Sequence, residues 1–170
     1  MVKPGDRLHN PLSGETFIIR KTSAETNGTS FQMETHVPAN GGTHVPPHLH
    51  PTHTMQFTLL QGAMKLWTGK PDSERLYEKG AKISVPINTP YDWTIAGTEE
   101  LQFITEFQPA GEWEFLFESM CAIGRAASEK RLNPILASIC VLNRRRNHMY
   151  FSIMPVGVQK SLFASIPSPS

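Results

Sequence analysis

Cysteine is scarce in this chain of 170 residues: Cys121 and Cys140 are the only two. Both sit in apolar stretches with helical spacing, so they read as buried thiols and exclude a disulfide framework. Charge is sparse too, at 18% of residues, and nearly balanced, with 16 Lys and Arg against 15 Asp and Glu. Without a broad basic face or interleaved aromatic and basic residues, nucleic acid is not an expected partner. The one basic run, Arg144-Arg145-Arg146, reads as a solvated helix end. No apolar run reaches the roughly 18 residues of a membrane span, and Met1 to Ser13 is polar, so the expectation is a cytoplasmic protein with no membrane partner. No Gly-rich phosphate loop opens a helix, no G-x-S-x-G elbow occurs, and neither cysteine has a base nearby in sequence.

What the chain does have is turns. Its 14 Pro and 12 Gly are spread mainly through the first two thirds, which favours short strands. Apolar residues alternate with polar ones over Thr16 to Lys21, Thr29 to Val37, Gln56 to Leu60, Ala63 to Trp67, Lys82 to Val85, Tyr91 to Ile95 and Leu101 to Phe107. Asn27-Gly28, Asn40-Gly41-Gly42, Lys79-Gly80 and Asn88-Thr89-Pro90 are among the turn signals between them. This is the pattern of a mainly β protein, an antiparallel sandwich or barrel. Beyond Pro109 the period changes. Trp113, Leu116, Phe117, Met120 and Ile123 recur at helical spacing and Gly124 is expected to close the helix. Asn133-Pro134 reads as the start of a second helix through Leu142, and Gln159 to Ile166 as a short amphipathic stretch. Residues 1–110 are therefore expected to form the barrel and 111–170 a helical extension of the same domain, whose apolar faces suit either packing on the barrel or a homodimer.

Four of the seven histidines fall within ten residues: His44, His48, His50 and His53. His48 and His50 are two apart, which on a strand puts both imidazoles on one face. Neutral imidazole serves both as a metal ligand and as a proton carrier.

The segment from Gly42 to Gly62 resembles the first cupin motif, G-x5-H-x-H-x3-4-E-x6-G, through Gly42, His48, His50 and Gly62. The segment from Gly80 is similar to the second, G-x5-P-x-G-x2-H-x3-N, through Gly80 and Pro86. Phe107-Gln108-Pro109-Ala110 followed by helices resembles small single-domain cupins with a helical C-terminal extension. The resemblance implies a single cupin barrel, a double-stranded β-helix or jelly roll, with C-terminal α-helices. It also implies a metal held by three histidines and a glutamate, and here the sequence departs. The glutamate position is Met55, the third histidine is Tyr91, the second motif's glycine is Asn88 and its asparagine is Ile95. A thioether does not replace a carboxylate for a hard or borderline ion, and a phenol must lose a proton to bind one well.

Three functions follow from that departure. In the first, which we prefer, the barrel needs no cofactor, and His48, His50 and Tyr91 act as acid, base and hydrogen-bond donor in an isomerisation, epimerisation or cyclisation. In the second, His48, His50 and a recruited His53 or His44 hold a divalent Fe, Mn, Ni, Cu or Zn in a dioxygenase. In the third, the cupin is a non-catalytic small-molecule binder. Strand parity points Met55, Phe57, Leu59, Met64, Leu66 and Trp93 inward with Tyr91, which suits a largely apolar ligand, aromatic or polyketide-like. Glu34 and Glu106 lie within strand patterns, and Glu106 is a further candidate contact if its parity faces the interior.

Overall fold

Alternation decides the barrel strands. In Phe31–Val37 the residues Phe31, Met33, Thr35 and Val37 are buried on one face, and in Leu101–Gln108 the buried set is Leu101, Phe103, Thr105 and Phe107. The two strands pair antiparallel with Thr35 opposite Phe103 and Met33 opposite Thr105, so their inward residues form one continuous surface.

The computed structural model describes residues 2–42, 45–131, 133, 149–151, 157–159 and 161. Its strands are β1 (Arg7–His9), β2 (Thr16–Lys21), β3 (Phe31–Val37), β4 (His48–Leu49), β5 (Thr54–Gln61), β6 (Ala63–Thr68), β7 (Arg75–Glu78), β8 (Lys82–Val85), β9 (Tyr91–Ala96), β10 (Leu101–Gln108) and β11 (Tyr150–Phe151), and helix α1 spans Trp113–Ser128. They form a six-stranded sheet ordered β1-β2-β3-β10-β5-β8 and a five-stranded sheet ordered β11-β4-β9-β6-β7. The inner faces of both share a single apolar core. The fold is mainly β, as the turn-rich alternation implies. No helix among the described residues is long and apolar enough to cross a membrane.

The motif turns have backbone reasons. Gly62, between β5 and β6, has φ +74°, and a Cβ there would meet the Glu100 carbonyl oxygen at 2.7 Å. Asn88 stands where the second cupin motif has glycine and adopts φ 58°. Asparagine is the side chain that best tolerates the left-handed region, so this exchange keeps the turn.

Helix α1 lays Trp113, Leu116, Phe117, Met120 and Ile123 against the barrel opening. Trp113 stacks on Phe107 at 4.1 Å and Phe117 packs on Phe17 at 5.0 Å, so the expected apolar stripe packs on the barrel. The helix start is tied down by Ala110 N–H to the Gly28 carbonyl and by the Ser23 N–H donating to the Glu114 carboxylate. Gly124 does not close the helix, which continues to Ser128. Its role is contact: a Cβ at Gly124 would fall 2.1 Å from the Asn10 Oδ1 of the loop after β1. The expectation of helices after residue 110 is also incomplete, because Tyr150–Phe151 adds a strand to β4, and the Gln159 side chain pairs with both the N–H and the C=O of Phe151. Cys121 is a buried free thiol, pushed up to about 11 by burial and by Glu15 against the opposing pull of Arg125. His44, Cys140, the expected helix at 135–142, Arg144 to Arg146 and most of the 159–166 stretch lie outside the described residues.

Candidate active site

Strand pairing assembles the site. In β4, His48 is directly opposite Tyr91 of β9, and their rings lie 4.5 Å apart. His50 follows β4 immediately, held by its carbonyl accepting the Asn88 N–H at 2.9 Å, so the second-motif turn fixes the first-motif histidine. Its ring is 5.1 Å from that of His48, edge on, and 5.0 Å from Trp113 at the start of α1. His48, His50 and Tyr91 all border one cavity of about 340 Å³ between the sheets and α1. Its walls are mostly apolar, among them Met55, Phe57 and Trp93.

The hydrogen bonds assign protons. His48 Nδ1 lies 2.9 Å from the Pro46 carbonyl oxygen, which only accepts, so Nδ1 carries the hydrogen and Nε2 the lone pair. Burial lowers the His48 pKa to about 4, outweighing the Pro46 carbonyl that raises it, and the ring is neutral at physiological pH. Tyr91 Oη has two neighbours, His50 Nε2 at 3.1 Å and Met55 Sδ at 3.4 Å. The thioether is the weaker acceptor. Burial first, and the neighbouring Asp92 charge second, raise the Tyr91 pKa, so the phenol keeps its proton.

These features decide whether the residues fit a metal. Tyr91 is a neutral phenol engaged with His50 and Met55, and Met55 offers a thioether where the motif has a carboxylate. His53 is buried behind Trp113, with its ring 5.6 Å from the indole and Nδ1 2.7 Å from Thr52 Oγ1, and does not border the cavity. Among the described residues no three of His, Cys, Asp and Glu are placed to hold a metal ion. Among the described residues, which exclude His44, the donor set does not fit.

Other expected contacts lie elsewhere. Leu59, Met64 and Leu66 are fully buried core rather than cavity wall, because the cavity occupies the α1 end of the barrel. Glu106 shares parity with Ile104, not with Thr105, and turns away from the interior to accept the Gln108 side-chain amide at 3.2 Å. Glu34 also faces away. Its buried carboxylate accepts Arg20 Nε at 2.9 Å and lies 2.6 Å from His36 Nε2. Burial works to raise its pKa, but those two partners together hold it below the usual carboxylate range.

Sequence reasoning missed Glu15, Thr35 and Thr105, which border the cavity from just before β2, from β3 and from β10 respectively. Thr35 and Thr105 follow from parity with the aromatic residues around them. The whole α1 stripe was legible as an apolar face but not as a cavity wall.

Two antiparallel sheets joined as a double-stranded β-helix define the cupin fold, and this chain has that fold. A predicted oxalate decarboxylase from Thermotoga maritima is similar to it in structure, at TM-score 0.51 and 14% identity over 64% of this chain and 99% of that one. KdgF from a Halomonas species (TM-score 0.47, 19% identity, 56% of this chain and 79% of that one) and the polyketide cyclase RemF from Streptomyces resistomycificus (0.49, 19%, 64% and 80%) have similar folds. No protein-family model matches the sequence, and no curated protein matches it.

Proposed function

We propose that this cupin barrel is an enzyme that moves a proton on a small, largely apolar carbonyl compound, aromatic or polyketide-like, without a metal. The observation that carries the reading is His48: a buried imidazole whose Nδ1 hydrogen is committed to Pro46, opposite a phenol hydrogen-bonded to a second imidazole. A general base must present a lone pair, and His48 Nε2 does so across the physiological range. Burial also makes it a weak base, which suits an acidified C–H between two carbonyls rather than an ordinary one.

His48 Nε2 takes that proton, and the C–H electron pair moves onto the carbonyl oxygen as an enolate. Tyr91 Oη–H, released from His50 or shared with it, donates to the oxygen as charge develops, and the apolar walls strengthen that bond. Return of the proton to another carbon isomerises the substrate, and return to the other face epimerises it. Attack of the enolate carbon on a second carbonyl closes a ring, and the alkoxide formed takes the proton back from His48.

The test uses an aryl β-diketone in deuterated buffer, with incorporation at the central carbon followed by NMR. The full chain is expected to accelerate exchange. His48→Gln is expected to lower the acceleration by about 10²- to 10⁴-fold, the usual contribution of a positioned base. Equal rates in His48→Gln and the parent would refute the assignment.

A further inference from the structure

The cavity has a second polar feature, on the sheet opposite the histidines. Thr35 Oγ1 is buried and has no hydrogen-bond partner among the described residues, although Thr35 borders the cavity. Burying a hydroxyl without a partner is unfavourable, so its place in an apolar wall calls for something to pair with it.

Strand register shows that it does not stand alone. Phe17 of β2 is opposite Thr35, so Glu15, two residues earlier, is a diagonal neighbour of Thr35 on the same face. Across the other edge Thr35 is opposite Phe103 of β10, which makes Thr105 the diagonal neighbour on that side. All three border the cavity. Glu15, Thr35 and Thr105 thus form an oblique polar stripe over three adjacent strands, between Phe17, Met33 and Phe103. The Glu15 carboxylate, which accepts the Ser13 hydroxyl at 2.7 Å, adds a hydrogen-bond acceptor to this end.

We infer that this stripe is a second subsite that receives a hydroxyl group of the ligand, through Thr35 Oγ1. The inference rests on the proposed occupancy of the barrel by an apolar oxygenated molecule and adds its substitution pattern. The ligand carries one oxygen function at the Tyr91 and His48 end and a neutral hydroxyl on its far side. A phenol or enol hydroxyl fits, since it accepts from Thr35 while donating toward Glu15.

Naphthalenediols with one hydroxyl on each ring, compared with the corresponding naphthol, make suitable probes, and Trp93 and Trp113 fluorescence reports their binding because both indoles border the cavity. The parent chain is expected to prefer its best diol over the naphthol by about 2- to 10-fold, the value of one neutral hydrogen bond. In Thr35→Val that preference falls to near one, and in Thr35→Ser it returns. Thr35→Val melts no lower than the parent, since the hydroxyl it loses has no partner among the described residues. A diol preference that survives Thr35→Val overturns the subsite, as does failure of the parent to prefer any diol. Loss of the preference in Thr35→Val, with diketone exchange insensitive to His48→Gln, would keep the subsite and remove the proton-transfer reading.

Discussion

His48 ties the chemistry to a stability signature. Its pKa falls from the ordinary 6.5 to about 4 in the folded chain through burial, so the unfolded chain takes up a proton at a higher pH than the folded one. The contribution is complete above the ordinary histidine pKa and is lost as pH falls from 6.5 toward 4. The loss amounts to about 3 kcal/mol at the acid end. Urea unfolding followed between neutral pH and pH 4 is expected to show a smaller decline for His48→Gln than for the parent; identical declines would contradict a buried neutral imidazole. Glu34, whose pKa is lowered, also loses stability in acid, but it does so equally in both proteins and cancels from the comparison. Tyr91→Phe keeps the ring between His48 and Phe57 and removes only the hydroxyl. It is expected to cost about 1 kcal/mol of stability while slowing diketone exchange by about 10²-fold, and a variant that exchanges as fast as the parent would exclude the phenol from the reaction.

Helix α1 is where sequence and structure diverge most usefully. Its apolar stripe was legible from spacing alone, because Trp113, Leu116, Phe117, Met120 and Ile123 follow the helical period. That the stripe bounds a cavity was not legible, since periodicity says which face is apolar but not whether the opposing surface is solid. The same limit explains Leu59, Met64 and Leu66, which share parity with cavity residues but sit deeper in the barrel. Gly124 reads as a helix stop because glycine commonly ends helices, yet the competing cause, close approach to Asn10, exists only in three dimensions. Gly124→Ala is accordingly expected to destabilise the protein by about 1–3 kcal/mol in denaturant unfolding, where an isolated helix would gain stability from the same change. Strands β1, β4 and β11 run for two or three residues, too short for alternation to register, and tertiary pairing alone defines them.

At the scale of the molecule, a fold whose sequence motifs imply a metal centre encloses a cavity where two of the motif positions are a thioether and a protonated phenol. The motif glycines and the Asn88 turn are retained because they shape the backbone, and they deliver His50 to its place whether or not it ligates anything. On one wall of the cavity His48 packs against Tyr91, which is hydrogen-bonded to His50, and this group faces a polar stripe on the other wall. The central claim is that this group works alone, and the most direct test is the diketone exchange rate of the full chain, purified without an affinity tag, before and after exhaustive chelation and again after adding back divalent iron, manganese, nickel, copper or zinc. The account predicts one rate throughout. Exchange abolished by chelation and restored by one of these metals, bound at one equivalent per chain and lost in His48→Ala, would contradict it.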